Sequence, residues 1–267
     1  MTDVDPFHGW GDRTSIHDAD GRVLLVYSRT ESTRSGRPWA DGAWRPARIA
    51  VEEAVRASMR ELPGWAVSTA DRELVSAYEA DGTTVIRHAH AMSHDLSDIV
   101  SVPATDGLRL EPLSAAQLDR HAARLGALNF AAYPPDHPDH ANASVEKAVS
   151  EMRAIGRGQV LGPLLNQSHI ALNDGKIVGA CIVVDRDGEA PEGGPWVIEI
   201  FRDPESNVRG IGRSLLTAVL KAAKRSGLPS LSLAVSHSNT RAFELYEALG
   251  FADASESWTL ALPEPTA

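Results

Sequence analysis

The chain has 267 residues, 43% of them apolar, and 36 acidic against 26 basic residues give it a formal net charge of −10. This composition predicts a folded protein of one and a half to two domains and argues against nucleic-acid binding. Because Cys181 is the single cysteine, no internal disulfide can form. No stretch approaches ~18 continuous apolar residues, and the sequence shows no basic segment followed by an apolar one as in a leader peptide. We therefore expect a cytoplasmic protein with no membrane partner, either monomeric or homodimeric.

The first hundred residues predict the order strand, helix, strand, helix and two strands. Alternating apolar residues indicate a strand at residues 23–27, and helical periodicity indicates a helix at 49–61. The stretch between them is polar, contains Pro38 and Pro46, and has no Gly-x-Gly pair. We therefore interpret it as a turn region that cannot converge backbone amides on a phosphate group.

The remainder of the chain predicts a longer succession of elements. These are a strand at 108–113, helices at 114–132 and 145–155, strands at 168–172, 177–184 and 196–202, a helix at 212–226, a strand at 231–235, a helix at 239–249 and a strand at 258–262. The predicted organisation is an N-terminal extension at 1–19, a first domain at 20–98, a linker at 99–106 and a second domain at 107–263.

A glycine-rich turn follows the predicted strand at 196–202 and opens the next helix. It reads N-V-R-G-I-G-R-S-L-L, with Gly210 and Gly212 flanked by Arg209 and Arg213. Two glycines let backbone N–H groups approach a ligand closely, and the helix adds the positive end of its dipole. With the two arginines, this turn suits a pyrophosphate group.

A second motif, N-T-R-A-F-E-L-Y-E-A-L-G-F, runs from Asn239 to Phe251. In this order and spacing the two motifs resemble the GNAT acyl-CoA N-acyltransferases, whose loop reads Gln/Arg-x-x-Gly-x-Gly/Ala and whose next helix carries Asn-x-x-Ala-x-x-x-Tyr before Gly-Phe. Asn207 stands where Gln or Arg is usual, which leaves more of the phosphate binding to backbone amides. The resemblance implies an α/β fold with a mixed, mostly antiparallel sheet that splays open at the cofactor strand, flanked by helices and preceded here by a half-GNAT unit.

The resemblance also implies acetyl-CoA as the acyl donor and no metal. The residues expected to bind it lie on the strand, the loop and the two following helices: Ile200, Phe201, Arg202, Asn207, Val208, Arg209, Gly210, Ile211, Gly212, Arg213, Ser214, Asn239 and Phe243.

Two residues are candidates for catalysis. By position Tyr246 is the family tyrosine that protonates the departing thiolate, although it could instead be a packing residue beside Phe243. Glu199, a carboxylate within an apolar strand, is the candidate base that accepts the proton of an ammonium. Strand alternation places the side chain of Glu199 on the opposite face of the sheet from Ile198 and Ile200, unless a bulge changes this. A chain of water molecules could also take the place of a single base.

The first domain repeats part of the second. An offset of 168 positions places Tyr78 on Tyr246, Asp71 on Asn239 and Gly82 on Gly250. Because the first copy lacks the glycine turn, we interpret it as a degenerate half-domain without a second catalytic site. Tyr78 then represents the same position without a catalytic role.

The other polar candidates favour ordinary structural roles. The loop Y-P-P-D-H-P-D-H is interpreted as solvated, with Asp136 or Asp139 as an alternative contact for a cationic acceptor. The alternating His88, His90 and His94 are expected at the surface rather than as metal ligands, and Cys181 is expected to be buried.

These observations predict an N-acetyltransferase that moves an acetyl group from acetyl-CoA to a primary amine of a small molecule or peptide, by direct attack in a ternary complex. An inactive CoA-binding regulatory or interaction module is the alternative from another class. A further alternative is an acetyltransferase like mycothiol synthase, which has two GNAT halves.

Overall fold

The computed structural model describes residues 4–31 and 37–264. The chain forms two compact units, a first unit of Met1–His90 with Ser255–Ala267 and a second unit of Ala91–Ala254. None of the described helices is both long enough and apolar enough to cross a membrane.

The first unit is a small mixed sheet with two helices. It contains β1 Arg13–His17, β2 Val23–Glu31, β3 Pro38–Trp44, α1 Val51–Glu61, β4 Ala66–Thr69 and α2 Arg72–Ala80, while β5 Thr84–His94 and β11 Ala252–Ala261 each have one end in this unit. Its strands follow the order β1-β2-β3-β4-β11, and β3 pairs with β4 in parallel. The buried core includes Leu25, Leu74 and Tyr78.

The structure corrects the prediction for this unit at two points. We expected two strands after α2, but the structure has one, β5. The strands β1 and β3, which were not predicted, are also present. The polar stretch after residue 27 is not a simple turn region, because β2 continues to Glu31 and β3 begins at Pro38; residues 32–36 of that stretch lie outside the described residues. Proline is tolerated as the first residue of a strand, where its missing N–H costs no ladder bond.

The internal repeat predicted from the sequence is confirmed at the level of elements. An offset of 168 carries α2 onto the helix at residues 240–247 and β5 onto β11. The two helices also begin alike, because Asp71 accepts hydrogen bonds from the amides of Glu73 and Leu74, and Asn239 accepts one from the amide of Ala242. The same N-capping chemistry therefore opens both copies.

The second unit follows the predicted order of elements. Its elements are β6 Leu108–Pro112, α3 Ala115–Ala132, α4 Val145–Gly156, β7 His169–Asn173, β8 Lys176–Arg186, β9 Gly194–Arg202, α5 Ile211–Arg225, β10 Leu231–Ser236 and α6 Thr240–Glu247. The strand order is β10-β9-β8-β7-β6, antiparallel except for the parallel pair β9 and β10. This is the mixed, splayed α/β sheet that the sequence predicted.

Two apolar cores lie on opposite faces of this sheet. Along β8, Ala180 and Ile182 belong to the core that α3 and α4 complete, whereas Cys181 and Val183 belong to the core that α5 completes. Gly126 on α3 allows the first of these cores to be tight, because a Cβ there would lie 2.6 Å from the Cα of Val149 on α4. The predicted burial of Cys181 is confirmed, and burial raises the pKa of its thiol.

The expectation of surface histidines on β5 is wrong for two of the three. His90 and His94 are 7% and 2% exposed. The ring of His94 lies edge-on to Phe251 and fills the space beside Gly250, where a Cβ would lie 2.9 Å from Nε2. Burial lowers the pKa of His94, because the charged imidazolium is disfavoured away from water.

We expect a fragment of residues 104–267 to aggregate or dimerise. Removing residues 1–103 takes Met92 and Leu96, 0% and 4% exposed, out of the core beside α5, and it leaves residues 258–261 of β11 without their partner β4. Light scattering after size-exclusion chromatography measures the outcome. A fragment of 91–267, which keeps Met92 and Leu96, should aggregate less, and a monomeric 104–267 fragment with unchanged turnover would contradict this prediction.

Candidate active site

The second unit contains an opening between two neighbouring strands. β9 and β10 pair only where Trp196 meets Ser232 and Val197 meets Leu233. Because the two strands are parallel and their pairing ends there, β9 continues to Arg202 with no ladder to β10 on that side. The C-terminal half of β9 therefore presents an open strand edge, which can accept an extended ligand.

The hydrogen-bond pattern of β8 and β9 identifies which main-chain groups face the opening. The amide of Asp203 donates to the carbonyl of Val178 at 2.8 Å, so this pair is a hydrogen-bonded one. Such pairs alternate along an antiparallel ladder, and Ile200, opposite Cys181, is therefore in a non-hydrogen-bonded pair. Its N–H and C=O point away from β8, towards the opening, and those of Arg202 do the same.

Phe201 differs from its two neighbours on the strand. By the same alternation its main-chain groups face β8, where it is opposite Ala180. Its side chain is 4% exposed and packs in the core of α3 and α4. Of the three strand residues expected to bind the donor, Ile200 and Arg202 therefore have main-chain groups at the opening.

A β-bulge decides the facing of Glu199. Between β8 and β9, Ile182 pairs with Glu199, but the next residue of β8, Val183, pairs with Val197. Ile198 is therefore the bulged residue of β9, with no partner on β8. The bulge breaks the alternation that was expected between Ile198 and Glu199. Ile198 packs in the core of α3 and α4. The side chain of Glu199 lies on the same face of the sheet, where its Oε2 accepts a hydrogen bond of 2.8 Å from Nδ2 of Asn129 on α3.

The glycine loop ends at the N-terminus of α5. Gly210 is the N-cap and has a φ of +79°, in the left-handed region that favours glycine. The first turn of α5 contains no acidic residue, whereas α1, α2 and α4 each have one or two there. Instead Arg209 and Arg213 are exposed at this end. Positive charge at the positive end of a helix dipole is unfavourable unless an anion binds, so this turn is suited to phosphate groups.

The other predicted loop residues divide into exposed and packed ones. Asn207 is exposed, while Val208 packs against the core of α5 and Ile211 is fully buried. A Cβ on Gly212 would make ordinary contact with Leu245, at 3.8 Å. The hydroxyl of Ser214 is 2.9 Å from that of Thr105, which joins α5 to the segment before β6.

Tyr246 lies in the core beside α5 with 6% of its surface exposed. Burial raises the pKa of its hydroxyl, and the nearby Cys181, Asp139 and Glu199 raise it further. Within residues 4–31 and 37–264 the Tyr246 hydroxyl makes no hydrogen bond. It is therefore a neutral phenol that keeps its proton available.

Tyr78 in the repeat has the same position in its helix but a different environment. Its hydroxyl lies 2.5 Å from the hydroxyl of Ser58, and the side chain is fully buried. Burial raises the pKa of Tyr78 to about 12. The two tyrosines thus occupy equivalent positions in the repeat, but of the two only Tyr246 has a hydroxyl with no hydrogen bond to the described residues.

The proline-rich loop is exposed at Pro134, Pro135, Asp136 and Pro138, as expected of a solvated loop, but Asp139 and Tyr133 bond it to neighbouring elements. Asp139 accepts hydrogen bonds from the amide and hydroxyl of Ser236, at 3.2 and 2.6 Å, and from Nδ2 of Asn239 at 2.8 Å. The hydroxyl of Tyr133 donates to the carbonyl of Ile200 at 2.6 Å. Asp136 is exposed. Asp139 therefore fixes Asn239 and the end of β10.

Sequence reasoning missed three polar residues near Glu199. Asn129, Asn142 and Glu151 form a hydrogen-bonded series that ends on the Glu199 carboxylate. One signal was available, because Asn129 follows Leu125 by four residues and so belongs to the apolar face of α3. A polar residue on a buried helix face needs a partner, which makes it a candidate for a site.

An open strand edge followed by a cationic, glycine-capped helix N-terminus has the features that suit an extended ligand ending in phosphate groups. The sequence profile described as "Acetyltransferase (GNAT) family" matches residues 130–251, which include this edge, the loop and α6. Residues 130–251 of the second unit therefore match a domain of this family.

Comparisons over longer ranges agree with that assignment. A mycothiol acetyltransferase of Propionibacterium freudenreichii subsp. shermanii is 31% identical over 148 residues, covering 55% of this chain and 43% of the relative. This chain therefore spans less than half of that relative's length.

Solved structures support the fold over nearly the whole chain. A GCN5-related N-acetyltransferase from Sphaerobacter thermophilus matches 98% of this chain and 85% of its own at a TM-score of 0.65 and 17% identity. A tandem GNAT protein from the clavulanic acid biosynthesis pathway matches 94% and 82% at a TM-score of 0.58 and 16% identity. Both likenesses concern the fold, and the tandem protein supports a GNAT-like unit ahead of the second one.

Proposed function

We propose that this protein is an N-acetyltransferase that moves the acetyl group of acetyl-CoA to a primary amine of a small molecule or peptide. The observation that carries the proposal is the continuity of the site: the open main-chain edge at Ile200 and Arg202 leads directly into the helix N-terminus at Gly210. The donor is itself an extended amide chain attached to a pyrophosphate.

The chain's residues fit this donor in two parts. First-turn amides of α5 have no intrahelical acceptors and, with Arg209 and Arg213, would hold the pyrophosphate. The open edge of β9 at Ile200 would pair with the amide-containing arm, as an added strand does. The donor supplies an acetyl thioester, whose carbonyl carbon is electrophilic.

The chemistry requires a proton acceptor and a proton donor on either side of the transferred group. Glu199 accepts a proton from the acceptor ammonium, which frees the nitrogen lone pair to attack the thioester carbonyl carbon directly. As the C–S bond breaks, Tyr246 gives its hydroxyl proton to the sulfur, and a backbone amide of β9 stabilises the oxyanion until it collapses. The nitrogen loses its second proton to solvent water as the amide forms, and the Tyr246 phenolate takes a proton back from solvent. A water chain in place of Glu199 remains the alternative for the first proton.

A second candidate is an acetyltransferase like the mycothiol acetyltransferases. The 31% identity over 148 residues to one of them favours it. The acceptor of those enzymes therefore belongs in the amine panel as one member.

The test is acetyl-CoA turnover with a panel of amines. Release of free thiol that depends on both an amine and this protein supports the proposal, and the best amine defines the acceptor class. Tight CoA binding with no thiol release for any amine would instead support the inactive CoA-binding module.

A further inference from the structure

Four polar side chains from four parts of the second unit form one hydrogen-bonded series. Nδ2 of Asn129 on α3 donates to Oε2 of Glu199 on β9 at 2.8 Å. Nδ2 of Asn142, in the loop before α4, is 3.3 Å from Oδ1 of Asn129 and 2.7 Å from Oε2 of Glu151 on α4. Asn129 and Asn142 are 2% and 4% exposed, so the two amides are shielded from water.

The series has a fixed direction. An ionised carboxylate can only accept hydrogen bonds, so Glu151 requires the NH₂ group of Asn142 to face it. That NH₂ group then faces Oδ1 of Asn129, which turns the NH₂ group of Asn129 towards Glu199. If Asn142 flipped its amide, its oxygen would oppose both the Glu151 carboxylate and the Asn129 carbonyl.

This direction is maintained although it leaves one group unsatisfied. Oδ1 of Asn142 is buried and has no hydrogen-bond partner among the residues that the structure describes. A buried acceptor without a partner lowers stability, and apolar side chains of similar shape would avoid that cost. The arrangement is therefore better explained by what it does to Glu199 than by what it adds to the fold.

We propose that Asn129 is a positioning residue for the proton acceptor Glu199, and that Asn142 and Glu151 act through Asn129 by fixing the orientation of its amide. The inference rests on the proposed function, in which Glu199 takes a proton from the acceptor ammonium. A donor that faces the carboxylate favours its ionised form and holds the carboxylate in one orientation.

The other titratable groups around Glu199 are Tyr246, Cys181, Asp139 and Glu151. Tyr246 on α6 and Cys181 on β8 stay neutral, because burial raises the pKa of both. Asp139 lies within electrostatic reach of Tyr246 and is bonded to Ser236 and Asn239. Glu151 is at the far end of the series, two hydrogen bonds from Asn129.

The test combines Asn129→Leu and Glu151→Gln with two readouts. A ¹³C NMR titration of the Glu199 carboxyl group in the free protein should move upward by about one pH unit in Asn129→Leu, and by less in Glu151→Gln, because a hydrogen bond to the charged form is lost or misdirected. With the best amine, the acidic limb of the kcat/KM profile should move in the same direction, and turnover near neutral pH should fall about 10-fold and recover at higher pH. The KM for acetyl-CoA should stay constant.

Glu146→Gln is the matched control, since it removes the same charge from an exposed position on the same helix and should leave both readouts unchanged. If the Glu199 titration is the same in Asn129→Leu and the wild type, the inference is overturned. If Asn129→Leu does not fold, Glu151→Gln decides in the same way. Unchanged turnover in Glu199→Gln would instead refute Glu199 as the base, while the NMR titration still decides whether Asn129 positions it.

Discussion

Gly210→Asp is expected to abolish acetyl-CoA binding while the protein stays folded. The new carboxylate would stand at the N-cap of α5 and compete for the same first-turn amides that a pyrophosphate needs. A like charge ~4 Å from a phosphate at an effective dielectric constant of ~20 costs about 4 kcal/mol, so we expect Kd to rise at least ~100-fold. Isothermal titration calorimetry measures the change.

Gly175→Asp is the matched control for backbone strain. Gly175 lies in the β7–β8 hairpin, has a φ of +75° against +79° for Gly210, and has nothing within 4 Å of its added Cβ. Both variants place an Asp in the left-handed region, which costs ~1–2 kcal/mol, and the two should lower the melting temperature similarly. Only Gly210→Asp should lose CoA. If its affinity stays within about twofold of the wild type, the loop does not bind the pyrophosphate.

The glycine turn and α5 were predictable because their signals are local. The turn needs glycine at the left-handed position, and Gly210 occupies it; the amphipathic pattern then fixes the helix to within one residue of Ile211–Arg225. The same applies to the Asn-Asp-Gly hairpin between β7 and β8. Each of these features depends on residues adjacent in the chain, so one sequence suffices to identify it.

The facing of Glu199 was not predictable, because it depends on a register shift between two strands. The bulge at Ile198 is defined by pairing with Ile182 and Val183, and period-two alternation cannot reveal it. The β3 strand was missed for a related reason: Pro38 appeared to interrupt a turn, whereas proline is acceptable where a strand begins.

Long-range polar partners form the second group that the sequence could not supply. Asp139 bonds to Ser236 and Asn239, which follow it by 97 and 100 positions. Asn129 bonds to Glu199 over 70 positions. Hydrogen bonding between side chains so distant in sequence leaves no periodic pattern. Only the position of Asn129 on the apolar face of α3 indicated that its amide required a hydrogen-bond partner.

Tyr246→Phe is expected to lower turnover about 10- to 100-fold. The substitution keeps the ring, which packs in the core beside α5, and removes the single proton that the phenol can give to the thiolate. General acids contribute ~10²- to 10⁴-fold, and a thiolate is a fair leaving group, which places the expected loss at the lower end. Stability should change little, because the Tyr246 hydroxyl makes no hydrogen bond within the described part of the chain.

Steady-state kinetics and Tyr78→Phe as the internal control separate a catalytic from a packing role. The loss should appear in kcat with a nearly constant KM for acetyl-CoA, because the proton is needed only as the C–S bond breaks. Tyr78→Phe deprives Ser58 of its 2.5 Å hydroxyl partner, so it should cost about 1 kcal/mol of stability and leave turnover unchanged. Tyr246→Phe should therefore lower kcat without changing the free energy of unfolding. Tyr78→Phe should lower the free energy of unfolding without changing kcat. Equal effects of the two substitutions on turnover would identify Tyr246 as a packing residue and require another acid.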